Sequence, residues 1–546
     1  MKPVEKAHPT WFEARLPRAD ECCVRQILDR LAVQRASQVF AIHQDDSQWT
    51  YAETRTVTRT TAAGLQKLGV APGDVVLTWL PNSAAHLRTW MATNYLGATY
   101  APLNVSYRGG LLAHAIANSG AKVMVAHADL IPRLAEIDLK QLEKVIVLGG
   151  AAPQLPGVQV LPASSLDGDG EALVLGDAPQ PWDIAAIIYT SGTTGPSKGV
   201  RVPYAQLWTL SVAHFGFMTP DDRMFLFTPL CHISPISGVF SALVMAASVV
   251  VYESFKGSEF WNQVRRTGAT TVPGMGLAIQ EFLAKMPERP DDGDNPLRMV
   301  NVRAPSESVM AFAKRFRFDY FGSYSMSETS VIVATDVNST VRDSCGRPRS
   351  GLEVRLVDEN DVEVPVGAVG ELILRTEHPW TINAGYHNDP VATARAWRNG
   401  WFHTGDALRR DADGNYFFVD RFKDSIRRRG ENISSYEIEL AALAYPGVQD
   451  VAAIPVPGAF GDDEVLLVLS PMPGKTVDPM ELTQFLIPRM AHYMVPRYIR
   501  ILPELPKTPS AKVQKAGLRA EGLTPETWDR EAAGLVLKRE RFEPVA

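Results

Sequence analysis

Cysteine is scarce in this chain. The four present, Cys22, Cys23, Cys231 and Cys345, form no CxxC pair and no metal-ligand spacing, which excludes a disulfide scaffold and a cysteine-held zinc. So few thiols fit a reducing compartment, where cysteine serves as a small buried apolar residue. Long apolar runs are missing too. No stretch approaches the roughly 20 residues that a membrane helix needs, and the opening MKPVEKAHPTWFEARLPRADE has no apolar signal core. A soluble, cytoplasmic protein is expected. Positive charge is not in excess: the formal net charge is -6, so broad nucleic-acid binding is not expected. No internal repeat is visible.

What the chain has is bulk and alternation. Its 546 residues exceed what one hydrophobic core holds, so two or more domains are expected. Apolar residues make up 45% against 21% charged, the balance of a folded globular enzyme rather than a disordered chain. From Thr50 helical and strand patterns alternate. TYAETRTVTRTTAAGLQKLG is helical and stops at Gly69, DVVLTWL is a strand, and the cycle repeats through HLRTWMATNYLG, ATYAPLN, GLLAHAIANSG and KVMVAHA. A further cycle runs from SALVMAA through SVVVYESF and WNQVRRTG to ATTVPG. Such alternation points to mostly parallel sheets covered by helices. After Gly346 the pattern changes to short strands with Asp/Gly turns, LEVRLVDE, GAVGELILR and NYFFVDRF, which read as a small β subdomain over 346–422. A third unit follows, with SYEIELAALAY and ELTQFLIPRM as helices and VQDVAAIPVP and EVLLVLS as strands. The tail from Gly522 reads as a polar helix. The fold class is multidomain α/β, with an N-terminal domain over 1–422 and a smaller α+β domain over 423–546.

The richest segment is YTSGTTGPSKGV, Tyr189 to Val200, directly behind the apolar run AAII. That order predicts a buried strand emptying into a loop that wraps an anion. Gly192, Gly195 and Gly199 allow close approach and positive φ, so successive N–H groups can nest phosphate oxygens. Thr190, Ser191, Thr193, Thr194 and Ser197 add hydroxyls and Lys198 a point charge. The alternative is a solvated Gly/Ser/Thr turn. A Walker-type loop is excluded by spacing, because Lys198 follows Ser197 and precedes Gly199 where GKS or GKT is required.

The string closely resembles the signature loop of the adenylate-forming superfamily: acyl-CoA synthetases, peptide-synthetase adenylation domains and firefly-type luciferases. Four more segments match it in order. In GSYSMSETS the resemblance implies that Tyr324 stacks on adenine, Ser327 touches the α-phosphate and Glu328 holds Mg²⁺; an oxygen ligand suits that hard cation. In GWFHTGD it implies that Asp406 binds the ribose hydroxyls. In VDRFKDSIRRRGENISSYEIE, Arg421 resembles a second ribose contact and Lys423 the hinge on which a mobile C-terminal domain turns. Beside Arg427, the residues Arg428, Arg429 and Gly430 would meet coenzyme A, against the alternative of an arginine-rich solvated loop. In LPKTPSAKVQK, Lys512 aligns with the catalytic lysine, although Ala511 stands where glycine is usual; Lys507 and Lys515 are the rival lysines.

Two further places bear on the acid. NVRAPSES resembles the wall of the acyl pocket, with Val302 and with Arg303 in place of a small residue. Arg303 reads either as a partner for a second acidic group or as a structural partner of Glu307. His232 in PLCHISPISG resembles the gate between the ATP and acyl sites, and Ser325 falls where acid selection varies. The resemblance implies an ATP-dependent acid–CoA ligase that forms an acyl-adenylate and then a thioester. Its catalytic residues are Lys512, Glu328, Thr190 and His232, and its small-molecule partners a carboxylic acid, ATP, Mg²⁺ and coenzyme A. A homodimer is the assembly considered. A luciferase-like oxygenase, a carrier-protein adenylation domain and a non-catalytic nucleotide-binding protein stay open as alternatives. GENISS and AHYMVPRYIRIL resemble the carnitine/crotonobetaine-CoA ligase branch.

Overall fold

The computed structural model describes residues 11–139, 141–151, 153–190, 197–275, 277–284, 286–302, 304–421, 425–428, 431–458, 461–506, 513 and 515–537. Two sheets build the N-terminal part. The first runs in the order Gln159–Pro162, Lys144–Leu148, Val123–His127, Val75–Trp79, Thr99–Pro102, Ile184–Thr190, Lys198–Pro203. Its strands are parallel except for the last pair, an antiparallel hairpin. Thr99–Pro102 and Val123–His127 are buried at every residue, because helices cover both faces of a parallel sheet. The covering helices begin and end where the sequence places caps. Thr50 and Glu53 close a capping box on Tyr51–Lys67. Ala84–Leu96 starts from the Ser83 hydroxyl and stops at Gly97, whose φ of 83° suits glycine.

The second sheet changes character along its width. Val39–His43, Ser248–Val251, Arg223–Leu226, Thr271–Val272, Met299–Val302 and Asp319–Met326 form its parallel half. Asp319–Met326 is the joint, parallel to Met299–Val302 on one edge and antiparallel to Ser330–Ala334 on the other. Beyond it the short strands Leu352–Val357, Val369–Thr376, Trp401–Arg410 and Tyr416–Arg421 pack an apolar cluster that includes Leu372, Leu374, Phe402 and Leu408. They stay hydrogen-bonded to the body through Ser344–Pro348.

The C-terminal part has its own sheet, Val448–Pro457, Asp463–Pro471, Tyr498–Ile501 and Trp528–Asp529, and a hairpin of Ser425–Arg428 with Glu431–Ser434. Its core gathers Ile426, Ile433, Ile438, Val465, Leu467 and Leu482. The expected tail helix is a correction. The helix Lys515–Glu521 stops at Gly522, and the chain then pairs Trp528–Asp529 with Tyr498–Ile501. Arg530 explains the change: it is 1% exposed and its guanidinium donates to the carbonyls of Pro496 and Leu535, contacts that a solvated helix would forfeit. All four cysteines are buried and unbridged. Among the described residues no helix is long and apolar enough to cross a membrane.

Candidate active site

The hairpin Ile184–Thr190 and Lys198–Pro203 brings Thr190 opposite Lys198, with the Thr190 hydroxyl 3.5 Å from the Lys198 carbonyl. Ser191, Gly192, Thr193 and Thr194 lie outside the described residues. Glycine is required at 199, because a Cβ there would stand 2.7 Å from Ile187 Cγ2. The hairpin is bordered by a segment that the motifs do not include. His387 N–H donates to the Gly199 carbonyl at 2.7 Å and Arg201 N–H to the Gly385 carbonyl at 3.0 Å. This brings Tyr386 beside the strand Lys198–Pro203. The Lys198 ammonium stands 5.0 Å from the Tyr386 ring centroid, a cation–π distance, and the Tyr386 hydroxyl donates to Glu328 Oε1 at 3.1 Å. Burial, with Glu328 adding to it, pushes the Tyr386 phenol up. It stays a donor.

Glu328 sits in the turn after Asp319–Met326 and is 7% exposed. Neighbours clamp the turn by its backbone. Asn383 donates its N–H and its side-chain amide to the Glu328 carbonyl, each at 2.8 Å, and Gln206 donates to the Ser327 carbonyl at 2.8 Å. Among the described residues no three His, Cys, Asp or Glu side chains cluster to hold a metal. A single buried carboxylate joined through Tyr386 to Lys198 fits Mg²⁺, which takes one or two carboxylates and completes its shell with phosphates and water.

On the same strand Tyr324 donates its hydroxyl to Asp406 Oδ2, with the Phe418 ring 6.0 Å from its own. Asp406 is 2% exposed. Arg421 is paired directly across from it on the neighbouring strand; nothing is described of the Arg421 side chain. A network missed in the sequence holds the Thr404–Gly405–Asp406 turn. Glu371 accepts from Gly405 N–H at 2.9 Å, from His403 Nδ1 at 3.0 Å and from Arg398 at 3.2 Å. Burial opposes the Glu371 charge, but the His403 and Gly405 bonds prevail and hold its carboxyl below the ordinary range. No local signal could have paired Glu371 with a turn 34 residues away.

His232 precedes the helix Ile233–Val244, and its Nε2 lies 3.0 Å from a carboxylate oxygen of Glu431 in the C-terminal hairpin. Burial works against a charged imidazole, yet the neighbouring Cys231 sulfur and the Glu431 carboxylate raise its pKa well above the ordinary value. Arg428, expected to meet coenzyme A, is turned inward instead. It is 2% exposed, pairs with Glu464 at 2.7 Å and donates to the carbonyls of Tyr493 and Val495. Arg429, Gly430, Lys423 and Lys512 lie outside the described residues, as do Ala511 and Lys507. The rival Lys515 is committed to Glu439 at 2.6 Å and to the Ser435 hydroxyl at 2.8 Å. Val302 is buried and aligned with Gly322 on the adjacent strand, and Ser325 is exposed. Arg303 lies outside the described residues; Glu307 carries an exposed ion pair with Arg342 at 2.6 Å.

Residues 28–387 match the AMP-binding enzyme family, and residues 437–512 match the AMP-binding enzyme C-terminal domain. A crotonobetaine/carnitine–CoA ligase of Salmonella paratyphi A is 29% identical over 518 residues, covering 91% of this chain and 98% of the relative. Among solved structures, the amide bond synthetase McbA from Marinactinospora thermotolerans has a TM-score of 0.78 at 24% identity, over 91% of this chain and 99% of that one. The o-succinylbenzoate CoA synthetase of Bacillus subtilis has a TM-score of 0.77 at 23% identity, over 91% of this chain and 98% of that one. These likenesses carry the fold. The family match spans the hairpin, the Glu328 turn and Tyr386, so the chain belongs to the AMP-binding enzyme family.

Proposed function

We propose that this protein is an ATP-dependent acid–CoA ligase acting in two steps on one site. One observation carries the reading: the strand Asp319–Met326 and its turn present Tyr324 to Asp406, and Glu328 to Tyr386, whose ring lies beside Lys198. Candidate ribose, metal and phosphate contacts gathered on neighbouring strands support a nucleotide as the ligand. The CoA ligase relatives support the same reaction.

A carboxylate cannot lose oxide to a thiol at neutral pH, so its oxygen must first become a leaving group. Its oxygen attacks the α-phosphorus of ATP, the bond to the β-phosphate oxygen breaks, and pyrophosphate leaves. Both reactants are anions, so positioning and charge set the barrier. Thr190, Ser191, Gly192, Thr193, Thr194 and Lys198 hold the departing phosphates. Tyr324 takes adenine, Asp406 and Arg421 the ribose, and Ser327 the α-phosphate. Glu328 would hold Mg²⁺, which supplies charge neutralisation on the phosphates when bound. Lys512 stabilises the adenylation step. The C-terminal domain, from 423 onward, then turns on Lys423 and brings the Arg429–Gly430 segment over the site, and the thiol of coenzyme A displaces AMP. The His232–Glu431 contact supports an arrangement with the strand Glu431–Ser434 at the gate. A cytoplasmic location and a homodimer belong to the same reading.

Pyrophosphate release over a panel of acids, with and without coenzyme A, tests it; crotonobetaine and carnitine belong in that panel. Lys512→Ala should abolish adenylate formation and spare thioester formation from synthetic acyl-adenylate. Equal loss of both half-reactions would sink the assignment.

A further inference from the structure

A chain of neutral polar groups lies beside the acyl-pocket strands, and the steps above do not use it. His214, on the helix Tyr204–Phe215, is 5% exposed. Its Nε2 lies 2.8 Å from Ser323 Oγ, and its Nδ1 is buried with no hydrogen-bond partner. Asn301 Nδ2 donates to the same hydroxyl at 2.9 Å. Ser323 directly precedes Tyr324 and Asn301 directly precedes Val302, on parallel neighbouring strands.

The far end of this chain is half-buried at Asn301 and exposed at Ser234. A Cβ on Gly274 would stand 3.9 Å from Asn301 Oδ1 and 3.4 Å from Ser234 Oγ, with no backbone nearer. Met275 N–H, next along, donates to the Asn301 carbonyl at 3.0 Å. Ser234 is exposed and lies two residues after His232. The gate, the 274–275 segment and the two strands therefore converge on one polar floor.

The chain has a direction. Burial keeps the imidazole of His214 neutral, with its pKa lowered to about 3, so it carries one N–H only. Asn301 Nδ2 donates to Ser323 Oγ, and one hydrogen bond joins Ser323 Oγ to His214 Nε2. The amide of Asn301 also faces the Phe321 carbonyl with Nδ2, at 3.5 Å. A flipped amide would set two carbonyl oxygens against each other. Asn301 Oδ1 is thus fixed toward Gly274 and Ser234, an acceptor awaiting a donor.

We propose that Asn301 reads the acid, its Oδ1 accepting from a hydroxyl or amide N–H on the substrate while Ser234 makes a second polar contact. The preferred class is then hydroxy- or amido-carboxylic acids over alkyl acids, because an alkyl group would desolvate Oδ1 and leave it unpaired. Ser323 and His214 are positioning residues. This rests on the ligase reading.

The test is pyrophosphate release with matched pairs of acids in which a hydroxyl replaces a methyl group at successive carbons. The protein should favour the hydroxy member of at least one pair in kcat/KM, on the order of 100-fold. Asn301→Leu should erase that preference and leave KM for ATP unchanged. Ser323→Ala should raise KM for the hydroxy acid without lowering kcat. If Asn301→Leu fails to fold, Ser234→Ala, exposed at the start of the helix Ile233–Val244, should still narrow the ratio. Alkyl members turned over as fast or faster would overturn the proposal and leave the ligase standing. Release with no acid at all removes the ligase reading and this one with it. A variant that slows both members alike overturns the specificity role.

Discussion

Tyr386 donates its hydroxyl to Glu328 and sets its ring beside Lys198, so one side chain orients a carboxylate and a cation that, in the proposed enzyme, serve the same phosphates. Tyr386→Phe keeps the ring and removes the O–H. A hydrogen bond to a charged group contributes about 1.5–3 kcal/mol, so kcat/KM for ATP should fall by roughly 10- to 100-fold, at about tenfold per 1.4 kcal/mol. Steady-state pyrophosphate release against ATP checks it, and KM for the acid should hold. Motif strings made Glu328 and Lys198 legible because their chemistry is written in consecutive residues. Tyr386 is written nowhere locally; a single bridge between Val200 and Tyr386 brings it in.

At the scale of elements, the strand Ser425–Arg428 shows what a charge run conceals. Three successive arginines read as a surface that meets phosphates. A strand alternates, however, and Ile426 and Arg428 both point inward while Arg427 points out. Arg428 then needs Glu464, Tyr493 and Val495 to satisfy it. Arg428→Ala should destabilise the C-terminal part by about 3–5 kcal/mol, the cost of orphaning a buried partner charge. Denaturant unfolding should show that loss, and KM for coenzyme A should move only where folding does. The alternating helices and strands of the body were readable because each parallel strand is a bounded apolar run between caps. The tail was not: its polar residues suit a solvated helix, and only the pairing with Tyr498–Ile501 and the carbonyls around Arg530 forbid one.

Across the whole molecule, three buried histidines set the acid limit. Burial lowers the pKa of His43 and of His86 to about 4 and of His214 to about 3. Their folded values lie below the unfolded one of about 6.5, so the unfolded chain binds protons first. Stability is full above that value and falls with pH, by up to about 1.4 kcal/mol per unit for each histidine. Urea midpoints should drop steeply between about pH 6 and 4, and replacing His214 with glutamine should flatten the curve. His232 acts in the opposite sense. Its raised pKa makes the contact with Glu431 complete below the unfolded value and lost as pH climbs through the folded one.

The strand Asp319–Met326 belongs to a parallel sheet on one edge and an antiparallel one on the other. In the proposed enzyme it supplies Tyr324 to the nucleotide, and Ser323 as the support of Asn301. The support of the acid reader and the adenine contact are thus consecutive residues, so a change at 323 that moves the backbone is felt at both substrates.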